Sequence, residues 1–135
     1  MAVINAEKCV AGRLASLVAK RLLSGEDVVI VNAEKAIVTG NPEATESFFG
    51  GRIKRGDPYH GPFYPKQPER ILRRMIRGML PFHKPRGRTA YRKLKVYRSV
   101  PKEFKNQQAE VITGAKRDIK CKSVRIEEIS ERFGA

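Results

Sequence analysis

The sequence predicts an α/β fold, on three observations. Val28-Val29-Ile30-Val31 is a continuous apolar run of strand length, the pattern of a strand covered on both faces as in a parallel sheet. Before it, between Arg13 and Ser24, the residues Leu14, Leu17, Val18, Arg21 and Leu22 recur at the 3.6-residue period of a helix. Ahead of that helix Val3–Asn5 reads as a strand. Strand, helix, strand is a βαβ unit, whose crossover is right-handed.

The elements follow in order. Gly25 supplies the C-terminal stop of the first helix, and the second strand runs from Asp27 to Asn32. Ala36–Thr39 predicts another short strand, and Gly40-Asn41-Pro42 turns the chain into a helix over Glu43–Phe49. Residues 50–68 then hold eight Gly or Pro, so they have few backbone partners of their own and are expected to take shape against a ligand. Pro68 suits the first position of a helix, with Glu69 near the positive end of its dipole and Gly78 as its stop. In that helix Ile71, Leu72, Met75 and Ile76 form an apolar stripe beside an arginine row. Phe82–Thr89 reads as a loop. Leu94–Tyr97 alternates as a strand, and Ser123 is placed to cap a last helix with Ile126, Ile129 and Phe133 on one face.

Charge divides the chain. Its net charge is +14, and residues 52–105 account for all of it, with 17 Lys and Arg against Asp57, Glu69 and Glu103; the rest carries 11 charges of each sign. Such a field repels itself until a polyanion neutralises it. The segment lacks the long apolar face of a membrane-surface helix, which leaves nucleic acid. The 135 residues suit one domain over 1–135, with 52–105 as its basic, RNA-facing, loop-rich insert. Only Cys9 and Cys121 are present, no signal peptide is seen, and no apolar run nears the roughly 20 residues of a membrane span. A cytoplasmic setting without membrane contact is expected.

Arg70, Arg73, Arg74 and Arg77 fall at i, i+3, i+4 and i+7, about 5 to 6 Å apart on one helix face and comparable to successive phosphates. Arginine bonds phosphate oxygens bidentately where lysine is a point charge. A charged stripe is ordinarily a solvated face, but no acid stands four residues after any of these arginines. Two flanking stretches join basic side chains to glycines that allow close backbone approach: Arg52, Lys54 and Arg55 between Gly51 and Gly56, and Lys84, Arg86 and Arg88 around Gly87. Arg92 and Lys93 extend the basic surface. Tyr59, His60, Phe63 and Tyr64 are candidates to stack on unpaired bases or, equally, to pack on the sheet. Neither helix-turn-helix nor zinc-finger spacing occurs, so irregular RNA fits better than a duplex groove.

Catalytic classes find no support. No GxGxxG follows the first strand, and no GxxxxGK[ST] occurs. Cys9, His60, His83 and Cys121 have none of the paired spacings of a zinc site. No acid has an evident partner base or nucleophile, so neither a cofactor nor a small-molecule substrate is expected.

Several stretches resemble a known family. Val3-Ile4-Asn5-Ala6, Gly12-Arg13-Leu14-Ala15-Ser16 and Val31-Asn32-Ala33-Glu34-Lys35-Ala36 through Gly40 look like the N-terminal half of the universal large-subunit ribosomal protein thirteen family. Ile76-Arg77-Gly78-Met79-Leu80-Pro81, then Gly87-Arg88 after five residues and Leu94-Lys95-Val96-Tyr97 after five more, resemble its signature stretch. The resemblance runs to about Pro101, and Gly61-Pro62 to Pro68-Glu69-Arg70-Ile71 looks closer to the archaeal and eukaryotic cytosolic branch than to the bacterial one. It implies a three-layer α/β/α fold with a four-stranded, mainly parallel sheet, and no enzymatic activity. It further implies a place against large-subunit rRNA beside neighbouring large-subunit ribosomal proteins, and a role in early assembly. The family's RNA contacts correspond to Arg13, the Arg70–Arg77 row and the Lys84–Arg88 stretch. Other readings would be an RNA-modifying enzyme or a free-standing regulatory RNA-binding protein.

Overall fold

The computed structural model describes residues 1–116, 118 and 120–134. Strand β1 (Ala2–Asn5) leads to α1 (Ala11–Leu23) and β2 (Val28–Val31); then come β3 (Ile37–Thr39), α2 (Pro42–Lys54), α3 (Pro68–Met79), α4 (Pro85–Arg92), β4 (Leu94–Val96), β5 (Ser123–Arg125) and α5 (Ile126–Arg132). Short 3-10 turns occupy Ala33–Lys35 and Lys102–Phe104.

The α/β class holds, but the sheet differs from the four-stranded expectation. β1, β2 and β4 form a three-stranded parallel sheet in that order, with Ile4 opposite Ile30 and Ile30 opposite Val96. β3 instead pairs with β5 in a separate antiparallel ribbon. The chain leaves β2 through Asn32, whose φ of 57° is left-handed, and then a 3-10 turn. Asn32 is held there by Ser99 O at 3.3 Å and by its amide on Asn5 Oδ1 at 3.1 Å. The turn carries β3 off the sheet.

The layering is also asymmetric. All five helices of the described residues contribute to one apolar cluster on one sheet face, with Leu14, Val18 and Leu22 of α1, Phe49 of α2, Ile71, Leu72 and Ile76 of α3, Ala90 of α4 and Ile126 of α5 against Ile4, Val28, Ile30 and Leu94. On the opposite face Val3, Val29 and Val31 lie under Phe104, with Tyr97 and Ala109 beside them. A 3-10 turn and coil cover this face, where a three-layer fold would put helices. Either way all four residues of β2 are buried, as its unbroken apolar run requires.

Other boundaries differ for local reasons. α2 does not stop at Phe49 but runs through Gly50-Gly51 to Lys54; the Phe133 ring would stand 3.3 Å from a Cβ at Gly50, so glycine sets the approach of α2 to the C-terminal residues. Arg52 and Lys54 in its last turn complement the dipole. The Lys84–Arg88 stretch is not a loop. Pro85 opens α4 and the Thr89 hydroxyl donates to Pro85 O at 2.9 Å. Ser123 belongs to β5, opposite Thr39, so α5 begins at Ile126 with acids Glu127 and Glu128 in its first turn. In α1 the buried positions are Ala11, Leu14, Ala15, Val18, Ala19 and Leu22; Leu17 is only half-buried.

Candidate nucleic-acid interface

α3 is amphipathic because its sequence is: Pro68, Ile71, Leu72 and Ile76 are buried, and the arginines take the remaining arc. Arg70 is exposed, whereas Arg73, Arg74 and Arg77 are half-buried. What half-buries them is aromatic. The Arg73 guanidinium carbon lies 4.6 Å from the centre of the Tyr91 ring, that of Arg77 4.1 Å from Phe82, and that of Arg74 5.9 Å from Tyr64. Phe82 and Tyr91 meet edge to face at 5.6 Å. From the end of α2, Arg52 lies 4.3 Å from the Phe48 ring and 5.9 Å from Tyr64. A guanidinium over a ring is held by the ring's quadrupole and keeps its whole charge, with N–H groups on its edge still able to donate.

Carboxylates take no part in this. Among the described residues the ion pairs are Arg21 with Glu110, Lys35 with Glu7 and Arg132 with Glu46, none of which uses a cation of residues 52–105.

α4 adds a second concentration of charge. Lys84 stands at its N-cap and makes no side-chain capping bond, Arg86 and Arg88 lie in its first turn, and no acid is present there. Cations at the positive end of a helix raise the local potential, the reverse of the usual distribution. Gly87 is buried, and a Cβ there would collide with the carbonyl of Pro81, so a glycine at this position lets the start of α4 seat on the preceding turn. Arg88 Nε donates to Phe82 O at 3.1 Å.

Other nominated residues fall in different settings. Arg13 is exposed in the first turn of α1, which contains no acid. Arg55 ends α2 and is exposed, as are Lys54 and Arg92. Lys93 is partly engaged within the fold, since its ammonium donates to Gly25 O at 3.3 Å. Tyr59 and Phe63 are 88% and 70% exposed, and His60 is exposed beside them in a turn closed by Asp57 and Gly61 (2.9 and 3.2 Å). Tyr64 is half-buried against Phe49; burial pushes its hydroxyl pKa up, with Arg52 and Arg74 acting the other way.

Sequence pattern alone does not single out Phe48, Phe82 and Tyr91 as platforms. Phe48 and Arg52 are four residues apart, a helical contact hidden as long as the helix is taken to end at Phe49. Tyr91 reaches Arg73 only through the packing of two helices, for which no local signal exists. Among the described residues no three His, Cys, Asp or Glu side chains converge as metal ligands would, and no helix is long and apolar enough to cross a membrane.

Comparison with known proteins bears on this surface. The family model described as Ribosomal protein L13 matches residues 1–103. A protein of Methanosarcina barkeri named Large ribosomal subunit protein uL13 is 46% identical over 140 residues, covering 100% of this chain and 99% of that relative. Proteins of the same name from Methanopyrus kandleri and Thermoplasma volcanium are 43% and 42% identical, covering 98% and 99% of this chain and 86% and 98% of their own length. These alignments carry the likeness beyond Pro101, through the segment that holds β5 and α5. By both measures the chain belongs to the ribosomal protein L13 family.

Proposed function

We propose that the chain is a structural constituent of the large ribosomal subunit, one domain over residues 1–135, that binds and stabilises large-subunit rRNA during early assembly in the cytoplasm, beside neighbouring large-subunit proteins. Its family is non-enzymatic. The observation that carries the reading is that Arg73, Arg74 and Arg77 of α3 lie over the rings of Tyr91, Tyr64 and Phe82 with no carboxylate partner among the described residues.

The helical face of the molecule is the platform, and the RNA-binding groups are Arg70, Arg73, Arg74 and Arg77 with Arg52, Lys54 and Arg55 on one side and Lys84, Arg86, Arg88 and Arg92 on the other. Arg13 and Lys93 complete the set, Lys93 with one donor already used. Phosphate contacts set the register, and specificity comes from RNA tertiary shape and from bases stacked on Tyr59, His60 and Phe63. Neutralising crowded phosphates lets an RNA junction close, which is a folding role.

The test is the salt dependence of binding to large-subunit rRNA fragments with unrelated duplex RNA as competitor. Each phosphate neutralised contributes roughly 0.7 to 0.9 to the slope of log affinity against log salt. A steep slope with tight, competitor-resistant binding to one fragment is expected. Equal affinity for every RNA would instead describe a merely basic protein.

A further inference from the structure

A cleft of about 390 Å³ lies between α3 and β4, lined by Glu69, Arg70, Arg73, Arg92, Lys95 and Tyr97 together with Leu94 and Val96 of the strand. β4 is the end strand of its sheet. Lys93 O accepts from Val28 N at 3.2 Å and Tyr97 N donates to Ile30 O at 2.8 Å, so these alternate residues turn their peptide groups toward β2. The peptide groups of Leu94 and Val96 therefore point to the open edge. The cleft joins cations to a strand edge that can donate and accept.

Its one acid is the informative residue. Among the described residues the Glu69 carboxylate enters none of the ion pairs, and Glu69 Oε2 and Arg73 Nε are shut off from solvent with no hydrogen-bond partner. Orphaned polar atoms cost free energy until something satisfies them. A phosphate alone would suit the four cations and be repelled by Glu69. A base with an exocyclic amino group, such as cytosine, donates to a carboxylate, whereas uracil offers a carbonyl oxygen at that place. In duplex RNA that amino group is already paired.

We infer that this cleft takes one unpaired, amino-bearing nucleotide of the bound RNA, with its phosphate on Arg70, Arg92 and Lys95 and its base between Glu69 and the open β4 edge at Leu94 and Val96. Glu69 turns its buried oxygen to the base as the nucleotide enters. This rests on the rRNA-binding reading above and names the element read at one place on that surface.

The test is an NMR titration of the full chain with 5′-CMP, 5′-UMP and inorganic phosphate, following the backbone amides of Leu94 and Val96. CMP is expected to shift them saturably at concentrations about tenfold below UMP, and Glu69→Gln to bring the two within about twofold. Equal response to CMP and UMP in the native chain, or the same shifts from phosphate alone, overturns the inference. That native comparison decides the matter even if Glu69→Gln folds poorly. Binding of large-subunit rRNA is measured on the same sample: rRNA binding without a CMP preference defeats the cleft alone, and loss of both defeats the underlying reading.

Discussion

The guanidinium of Arg73 on α3 lies over the ring of Tyr91 on α4, 4.6 Å from its centre, so these two helices are joined by a cation on an aromatic face where an ion pair would be the ordinary choice. The difference matters for a polyanion-binding surface. A carboxylate would fix the arginine and cancel it; a ring fixes it and leaves the charge outward. Arg77 repeats the arrangement on Phe82, whose ring packs against Tyr91.

If the rings only position the arginines, removing a ring should weaken binding while every phosphate stays neutralised. Phe82→Leu is expected to lower rRNA affinity severalfold, in keeping with the ~0.5–2 kcal/mol of a cation–ring contact, and to leave the salt slope unchanged. A filter-binding series over salt concentration separates affinity from slope. A slope that falls with the affinity would mean that Arg77 no longer reaches its phosphate.

Removing the charges gives the opposite signature. Arg74→Ala with Arg77→Ala should lower the salt slope by ~0.7–0.9 for each phosphate no longer neutralised. The apolar stripe of Ile71, Leu72 and Ile76 is untouched, so circular dichroism should still report a folded chain. Because Arg74 and Arg77 are half-buried on rings, a modest drop in thermal midpoint is also expected, which fully solvated side chains would not give.

The start of α4 depends on one glycine. Gly87→Ala places a methyl group against the Pro81 carbonyl and forces α4 away from the turn before it, at a cost of about 1–3 kcal/mol as overpacking goes. Chemical denaturation measures that loss. RNA affinity should fall further than stability, since Lys84, Arg86 and Arg88 move with the helix end.

What is legible in the sequence is local. Val28–Val31 announces a strand buried on both faces, and α3 writes both its buried stripe and its arginine row in consecutive residues. The helical period puts Leu14, Val18 and Leu22 on the buried face of α1, while Leu17, which the same period includes, sits at its margin. The rest depends on distant partners. Gly50-Gly51 argues for a helix end by propensity, whereas α2 continues past it and the Phe133 ring accounts for the small residue at Gly50. The departure of β3 from the sheet follows from a single left-handed residue, Asn32, held by Ser99 and Asn5. The basic surface can be read from composition, but its aromatic supports cannot, because Tyr91 and Tyr64 meet their arginines only through tertiary packing.

For the core, Leu14→Ala is the informative change. Leu14 is fully buried between α1 and the sheet, and truncating such a side chain costs about 2–5 kcal/mol. Leu17→Ala should cost clearly less, because that side chain is already partly in contact with water. Urea midpoints of the two variants test the order, and an equal or reversed order would mean that the α1 face is assigned wrongly.

The last expectation concerns pH. Glu110 pairs with the outer side of β1, its N–H donating to Val3 O at 2.7 Å and its carbonyl accepting from Asn5 N at 2.9 Å. Its carboxylate accepts two hydrogen bonds from Arg21 of α1, at 2.7 and 2.9 Å. Glu110 thus ties the later chain over an edge strand that would otherwise be free to pair with another molecule. The Arg21 hydrogen bonds hold the Glu110 carboxyl below its usual 4.5 and raise the Arg21 pKa, with burial opposing both shifts slightly. A carboxyl whose pKa is lower folded than unfolded binds more protons when unfolded, so the stability it adds is complete above the unfolded value and is lost as pH falls through the folded one. Both side chains are substantially exposed, and the effect is therefore that of a surface pair, about 0.2–1 kcal/mol. Glu110→Gln keeps the shape and the backbone bonds and removes the charge. It should be less stable than the native chain at pH 7 and converge on it as the pH is taken below the carboxyl range, in denaturant titrations at matched low salt. A deficit that is the same at both pH values would place the effect of Glu110 in its shape or its backbone bonds, and the pairing with Arg21 would then contribute nothing to holding the edge.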